Sequence, residues 1–452
     1  METTTTTAPP RLRRVLTIWD LVFYGIILIQ PIAPVGIFGI TQKLSQGHMS
    51  TAVLAAMVAM MLTAFSYGRM AAVYPSAGSA YTYVSRALHP HIGSLIGWAM
   101  VLDYLVIPIV NVIYPALTFK RLFPQVPYVV WAALVTGAII FLNLRGIRST
   151  ARANEVLLVL ESLVVIGFLI GAVHYLLHLH GGRGLLSLQP FYDPSTFNFG
   201  ALRTATSLAA LTYIGFDGVT TLSEEVADPK RTVPMATVLV CLICGILSTL
   251  EVYLGHLAWP TYNTFPNLET AFMDVCLRVG GVALFHAMAI ILIIACIGTG
   301  LAGVAGAARL LYGMGRDDVL PRKFFARIDA KHHVPTFNVV LIGVLTLVGS
   351  LVISYERSAE LLNFGAFLAF MGVNLSCIHQ FCIRPPAGHT RKLFRDLVFP
   401  ALGFLFCLAI WWSLPAPAKW AGGVWFAAGM LYAAIRTKGF RAAPPKMDFS
   451  EL

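Results

Sequence analysis

Apolar residues along this chain fall into long runs parted by short polar stretches. Each run approaches the roughly 20 residues that a helix needs to cross a hydrocarbon core. Twelve can be marked, near residues 15–40, 50–73, 90–118, 126–144, 153–179, 200–222, 233–258, 284–313, 336–354, 359–381, 395–413 and 418–436. Each predicts a membrane-spanning helix, because the bilayer interior obliges a backbone to satisfy its own hydrogen bonds. Segment 259–283 is too polar to span and is expected to cap one face as a short helix. The fold class is an all-α membrane protein.

Two runs carry residues that a spanning helix normally avoids. The first contains Pro31 and Pro34 with Gly36 and Gly39, and the sixth contains Gly215, Asp217 and Gly218. Each proline removes a backbone donor and disturbs the preceding turn. Freed backbone groups are tolerated at membrane depth only where they face protein or a water-filled cavity. A simple proline kink would explain the first run alone. The matched pair, "GIFG" at 36–39 and "GFDG" at 215–218, points instead to a mid-depth substrate site between inverted repeats. The first helix is then expected to unwind near Ala33 to Gly36.

Composition agrees: 57% of residues are hydrophobic, 12% are charged and the mean hydropathy is +0.75. The net charge of +11 could suggest nucleic acid, but its placement does not. With a cytoplasmic N-terminus, the basic clusters at Arg11 to Arg14, Arg145 to Arg152, Arg309 to Lys331, Arg384 to Arg395 and Arg436 to Lys446 all fall inside. The positive-inside rule predicts that arrangement, with both termini cytoplasmic. No cleaved leader is expected, since the apolar run after the polar tail is too long for one. Cys241 and Cys244 stand in mid-helix without a second pair, and no metal-binding, phosphate-binding or nucleophile motif is present. A cofactor, a metal and an enzyme activity are therefore not expected.

Asp103, Glu161, Asp217 and Glu251 lie well inside predicted spans, away from their ends. Each costs about 2.5–3.5 kcal/mol at mid-membrane, so each is a functional candidate. No intramembrane lysine partners them, which suits a cationic substrate or a transported proton. Glu251 could instead sit on a wet face, because Trp259 marks an interface about two turns on. On the third span Asp103, Ile107, Asn111 and Tyr114 share one helical face, with Tyr104 at its edge. Tyr213 and Phe216 could wall a cavity, since aromatic faces attract ammonium groups.

Several stretches resemble the amino acid–polyamine–organocation superfamily. They are "GIF" in the first span, "YPSAGSAYTYV" (74–84), "YIGFD" (213–217), "EEVADPKRTVP" (224–234) and "RLLYGMGRDDVLPRKFF" (309–325). The resemblance implies a leucine-transporter-like fold of twelve helices in a 5+5 inverted repeat, with helices 1 and 6 broken. A cytoplasmic tail would occupy 1–14, the first repeat 15–179, the second 200–381, peripheral helices 395–436 and a second tail 437–452. It also implies a substrate held by Gln30, Ala33, Val35, Gly36 and Ile37 at the first break, Asp103, Tyr104, Asn111 and Tyr114 on span three, and Tyr213, Gly215, Phe216 and Asp217 at the second. Gly298, Gly300 and Gly303 would let span eight pack closely.

Two departures shape the expected ligand. The family's carboxylate-binding "GSG" stands here as Pro34-Val35-Gly36, and proline cannot donate. Proton-coupled relatives often carry a lysine seven residues after an asparagine of span five. Counting from Asn154, that position is Glu161, the expected proton-coupling residue. "YGIILIQPIAPVGIFG" (24–39) and "GWAMVLDYLVIP" (97–108) are further similar to bacterial putrescine importers. The expected function is proton-driven uptake of a small cationic amine across the bacterial inner membrane, with protons and the bilayer as its other partners. The rivals are an amino-acid permease or exchanger of the same superfamily and an uncoupled channel or receptor.

Overall fold

The computed structural model describes residues 16–75, 79–146, 151–181, 185–316, 321–329, 334–386 and 388–444. Among them the chain is helical throughout. The β pairing there is a single bridge between Leu16 and Val226. Seven helices are long and apolar enough to cross a membrane, and Ile18–Ile29, Tyr128–Leu144 and Thr336–Val352 are shorter apolar helices.

The first run is divided, as its prolines require. Helix α1 (Ile18–Ile29) starts at Thr17, whose hydroxyl accepts from the Asp20 amide while the Asp20 carboxylate accepts from the Thr17 amide. This reciprocal cap satisfies two orphan donors. The helix ends at Gln30, which is forced to a φ of 68°. Residues 31–37 form turns, and α2 (Phe38–Leu44) resumes the path.

Helix α3 (Met49–Val73) is followed by a short α4 (Ser79–Ala87), which buries Ala80, Tyr83 and Val84. At nine residues it is too short to register as a span in the apolar pattern. Then come α5 (Pro90–Leu122), α6 (Tyr128–Leu144) and α7 (Ala151–His180).

The sixth run also breaks. Helix α8 (Phe199–Ala209) tightens into a 3-10 turn, Ala210–Tyr213, and the helical path is broken at Ile214 and Gly215 before a second 3-10 segment, Phe216–Glu225. Gly215 has a φ of 115°, a conformation open to glycine and strained for other residues. A β-carbon there would sit 3.0 Å from the Leu28 carbonyl oxygen. The two interruptions therefore touch.

The second half continues with α9 (Pro229–Ala258), α10 (Ala271–Arg316), α11 (Arg322–Phe325), α12 (Thr336–Val352), α13 (Tyr355–Ile378), α14 (Phe399–Trp412) and α15 (Ala416–Arg436). The polar segment after α9 enters a first stretch of α10 that is interrupted at Gly281 (φ 65°). The expected short capping helix is therefore the stretch before Gly281, which that break sets off from the following span.

Helix α5 runs between α10 and α13. Gly300, Gly303 and Gly306 bring α10 against Asn111, Ile107 and Tyr104 of α5. Gly298 instead faces Leu157 at an ordinary 4.0 Å, so the close packing falls one register further on than expected. Asparagines tie helices together: Asn143 Nδ2 donates to the Leu301 carbonyl at 3.3 Å, and Asn363 Nδ2 to that of Ser207 at 2.7 Å. Such bonds hold helices where lipid gives no hydrophobic drive. At the periphery, Trp98 of α5 and Trp425 of α15 stack at 5.1 Å and exchange 3.0 Å bonds to each other's carbonyls.

A buried ionic cluster closes the end of the bundle at which α1 starts. Arg69 Nη2 lies 2.7 Å from Asp396 Oδ1, and its guanidinium rests 3.6 Å from the centre of the Phe381 ring. Asp396 Oδ2 also accepts from His389 Nε2 at 2.9 Å and from the Lys392 amide at 2.6 Å.

Candidate functional site

The two breaks and α5 enclose a small acidic region. Asp103 and Asp217 are both half-buried and lie within electrostatic reach of each other. The Oδ1 atom of Asp103 is fully buried and has no hydrogen-bond partner. It abuts α13, where a β-carbon on Gly365 would lie 2.6 Å away. Among the described residues, no lysine or arginine acts on either carboxyl. Pro108 leaves the Tyr104 carbonyl without its helical donor one turn from Asp103, adding a free acceptor beside the acids.

Aromatic rings wall this region. Tyr67 of α3 meets Phe216 at 5.4 Å, Phe370 at 5.8 Å and Tyr83 at 6.1 Å, each edge-on. The Tyr67 hydroxyl is buried without a partner, and Asp217 reaches both Tyr67 and Tyr83 electrostatically. Tyr104 feels both acids. The opposite side is closed by Tyr114 and Tyr355, 5.4 Å apart, and Gly36 lies against Tyr355, where a β-carbon would be 2.5 Å from its hydroxyl oxygen.

Backbone supply at the first break is uneven. The Val35 amide is committed to the Ile32 carbonyl at 3.1 Å, and that of Ala33 to the Gln30 carbonyl at 3.1 Å. The Gly36 and Ile37 amides have no acceptor among the described residues. Gln30 spends its side-chain amide on Thr299 Oγ1 at 3.0 Å, pinning the break to α10.

Other expected residues point elsewhere. Tyr213 is fully buried with its hydroxyl donating to the Val53 carbonyl at 2.9 Å, so it anchors α3 rather than walling the region. The turn at Ile214 and Gly215 explains this, since it swings Tyr213 and Phe216 to different sides. Asn111 spends its side-chain amide on the Ile107 carbonyl at 2.9 Å and faces Gly300. The shared face of α5 is thus split between α10 and α13. Glu161 is buried on α7 at 2% exposure. Glu251 is not on a wet face: it is 1% exposed, and Trp259, beyond the end of α9, stacks on Phe265 at 5.2 Å.

Tyr67, Tyr83, Phe370 and Tyr355 were not expected here. They stand on helices without breaks, where an aromatic residue at helical spacing reads as ordinary packing. The Glu224 side chain and Asp317, in two of the stretches that carry the family resemblance, lie outside the described residues.

Residues 25–416 match the family described as amino acid permease. The chain belongs to the amino acid permease family. This permease is 35% identical over 449 residues to the low-affinity putrescine importer PlaP of Escherichia coli K12, covering 98% of each chain. It is 27% identical over 412 residues to the branched-chain amino acid permease BcaP of Lactococcus lactis, covering 85% of each. It is 24% identical over 449 residues to the methylthioribose transporter of Bacillus subtilis, covering 93% of this chain and 92% of that one. Its relatives are permeases and importers rather than enzymes, and the permease is a multi-pass integral membrane transporter of that superfamily.

Proposed function

We propose that this permease imports putrescine or a similar small cationic amine together with protons, by alternating access in the bacterial inner membrane. The twelve runs then form twelve crossings in a 5+5 inverted repeat, 15–179 and 200–381, with 395–436 peripheral. Both tails, 1–14 and 437–452, are cytoplasmic, so the end of the bundle at which α1 starts faces inward and the other end outward.

The observation that carries this reading is the meeting of Asp103 and Asp217 at the touching breaks, with aromatic walls and no basic residue in reach. Two unneutralised carboxyls in an apolar bundle suit a guest bringing two positive charges. Phe216, Tyr67 and Tyr104 offer ring faces to its ammonium groups. Ala33, Val35, Gly36 and Ile37 shape one wall, Gln30 and Asn111 hold the helices that frame it, and Tyr114 closes the outward side. Glu161, buried behind the first break, binds the coupled proton. The relationship to PlaP supports the same substrate class.

The free Gly36 and Ile37 amides favour a second reading, an amino-acid permease that seats a carboxylate there. Uptake of labelled putrescine into proteoliposomes, with and without an inward proton gradient, separates the two. Uptake above equilibrium that unlabelled diamines displace and leucine or lysine does not is the expected result. Displacement by free amino acids alone overturns the amine reading.

A further inference from the structure

A second acidic pair lies apart from the chamber, and the amine reading does not use all of it. Glu251 of α9 is 1% exposed, and neither of its carboxyl oxygens has a hydrogen-bond partner. Its charged neighbour is Glu161 of α7, itself 2% exposed. The other titratable groups in reach are Cys244 on the same helix and Cys276 and Cys296 on α10. Helices α1, α3 and the 3-10 segments pack on α9 without bringing a charge to Glu251 among the described residues. Two carboxyls with no cation between them cannot both be ionised in a low-dielectric site, and they titrate as a pair. At least one proton is therefore resident.

The pair also has a direction. Glu161 stands in the middle third of α7, whereas Glu251 stands in the last, outward third of α9. Five residues beyond Glu251, His256 lines a small outward pocket of about 40 Å³ together with His48, Asp193 and Tyr262. His256 Nε2 is buried there without a partner. Hydrogen bonds from Ser195 hold the Asp193 carboxyl below the usual carboxylate range, so the pocket mouth keeps an ionised acid. Next to His256, Gly255 packs against Phe38 and Phe272, buried rings that with Phe265 form an apolar cluster, Phe38 lying 5.8 Å from Phe265 and 5.1 Å from Phe272.

We propose that Glu251 is the outward member of a two-carboxyl proton site, loaded from the outward pocket past His256 and sharing its proton with Glu161. This rests on the reading of Glu161 as the proton-coupling residue. Release inward through Glu161 then balances charge without a metal ion.

The test compares wild type, Glu251→Gln and Glu161→Gln in proteoliposomes, reading putrescine uptake against outside pH. It also maps dicyclohexylcarbodiimide adducts on the wild-type protein by mass spectrometry, since this reagent labels protonated buried carboxyls. Expected are adducts at both glutamates that fade as pH rises, and loss of the pH response in both variants. Loss in Glu161→Gln alone, with no adduct at Glu251, overturns the pair and leaves the Glu161 reading standing. A pH response intact in both variants overturns both. Sodium in place of a proton gradient driving uptake and blocking the adducts overturns the pair as a proton site. If Glu251→Gln fails to fold, the wild-type adduct at Glu251 still decides.

Discussion

Asp396 and Asp103 are both acids set into the same apolar bundle, yet their surroundings are opposite. Asp396 accepts from Arg69, His389 and the Lys392 amide, and the Cys382 thiol caps its carbonyl at 3.2 Å. Asp103 has a buried oxygen with no donor at all. A buried charge is tolerated when it is paired and hydrogen-bonded and is costly otherwise. Asp396 is thus a clamp that fastens α3 to the start of α14. Asp103 and Glu251 keep buried carboxyl oxygens with no donor, a cost that a ligand or a proton would offset, whereas backbone amides of Gly215, Asp217 and Gly218 donate to Asp217.

The largest effect should come from breaking the clamp. Asp396→Asn leaves Arg69 buried without its anion, a loss of about 3–5 kcal/mol. Thermal unfolding in detergent should show a clearly lowered midpoint, with uptake per folded molecule kept. An unchanged midpoint would mean that the cluster is incidental.

The aromatic wall gives a smaller, selective effect. Tyr67→Leu removes a ring face worth about 0.5–2 kcal/mol to an ammonium group. The apparent KM for putrescine should rise several-fold, while Tyr67→Phe, which keeps the ring, should leave it close to wild type. Equal losses in both variants would assign the role to the hydroxyl instead.

Much of this contrast was legible in the sequence because it is local. Pro31, Pro34 and Gly215 break helices by their own backbone chemistry, so the interruptions could be placed before any packing was known. Acids inside apolar runs announce themselves in the same way. Partners cannot be read so. Tyr67 and Phe370 are about three hundred residues apart, and Glu251 is dry within a helix that α3, α7 and α10 pack against from elsewhere in the chain. Tyr213 was misplaced because one glycine turn changes the phase between it and Phe216. The split face of α5 depends on the registers of α10 and α13, which glycines set from outside the helix being read.

The most direct measurement is calorimetric binding of putrescine and of n-butylamine to the purified permease and to Asp217→Asn. Each lost carboxylate–ammonium contact should be worth about 1.5–3 kcal/mol, so the diamine should bind about tenfold or more tightly than the monoamine. That preference should collapse in the variant. Equal affinities of the wild-type protein for the two amines would contradict an acid at each end of the guest.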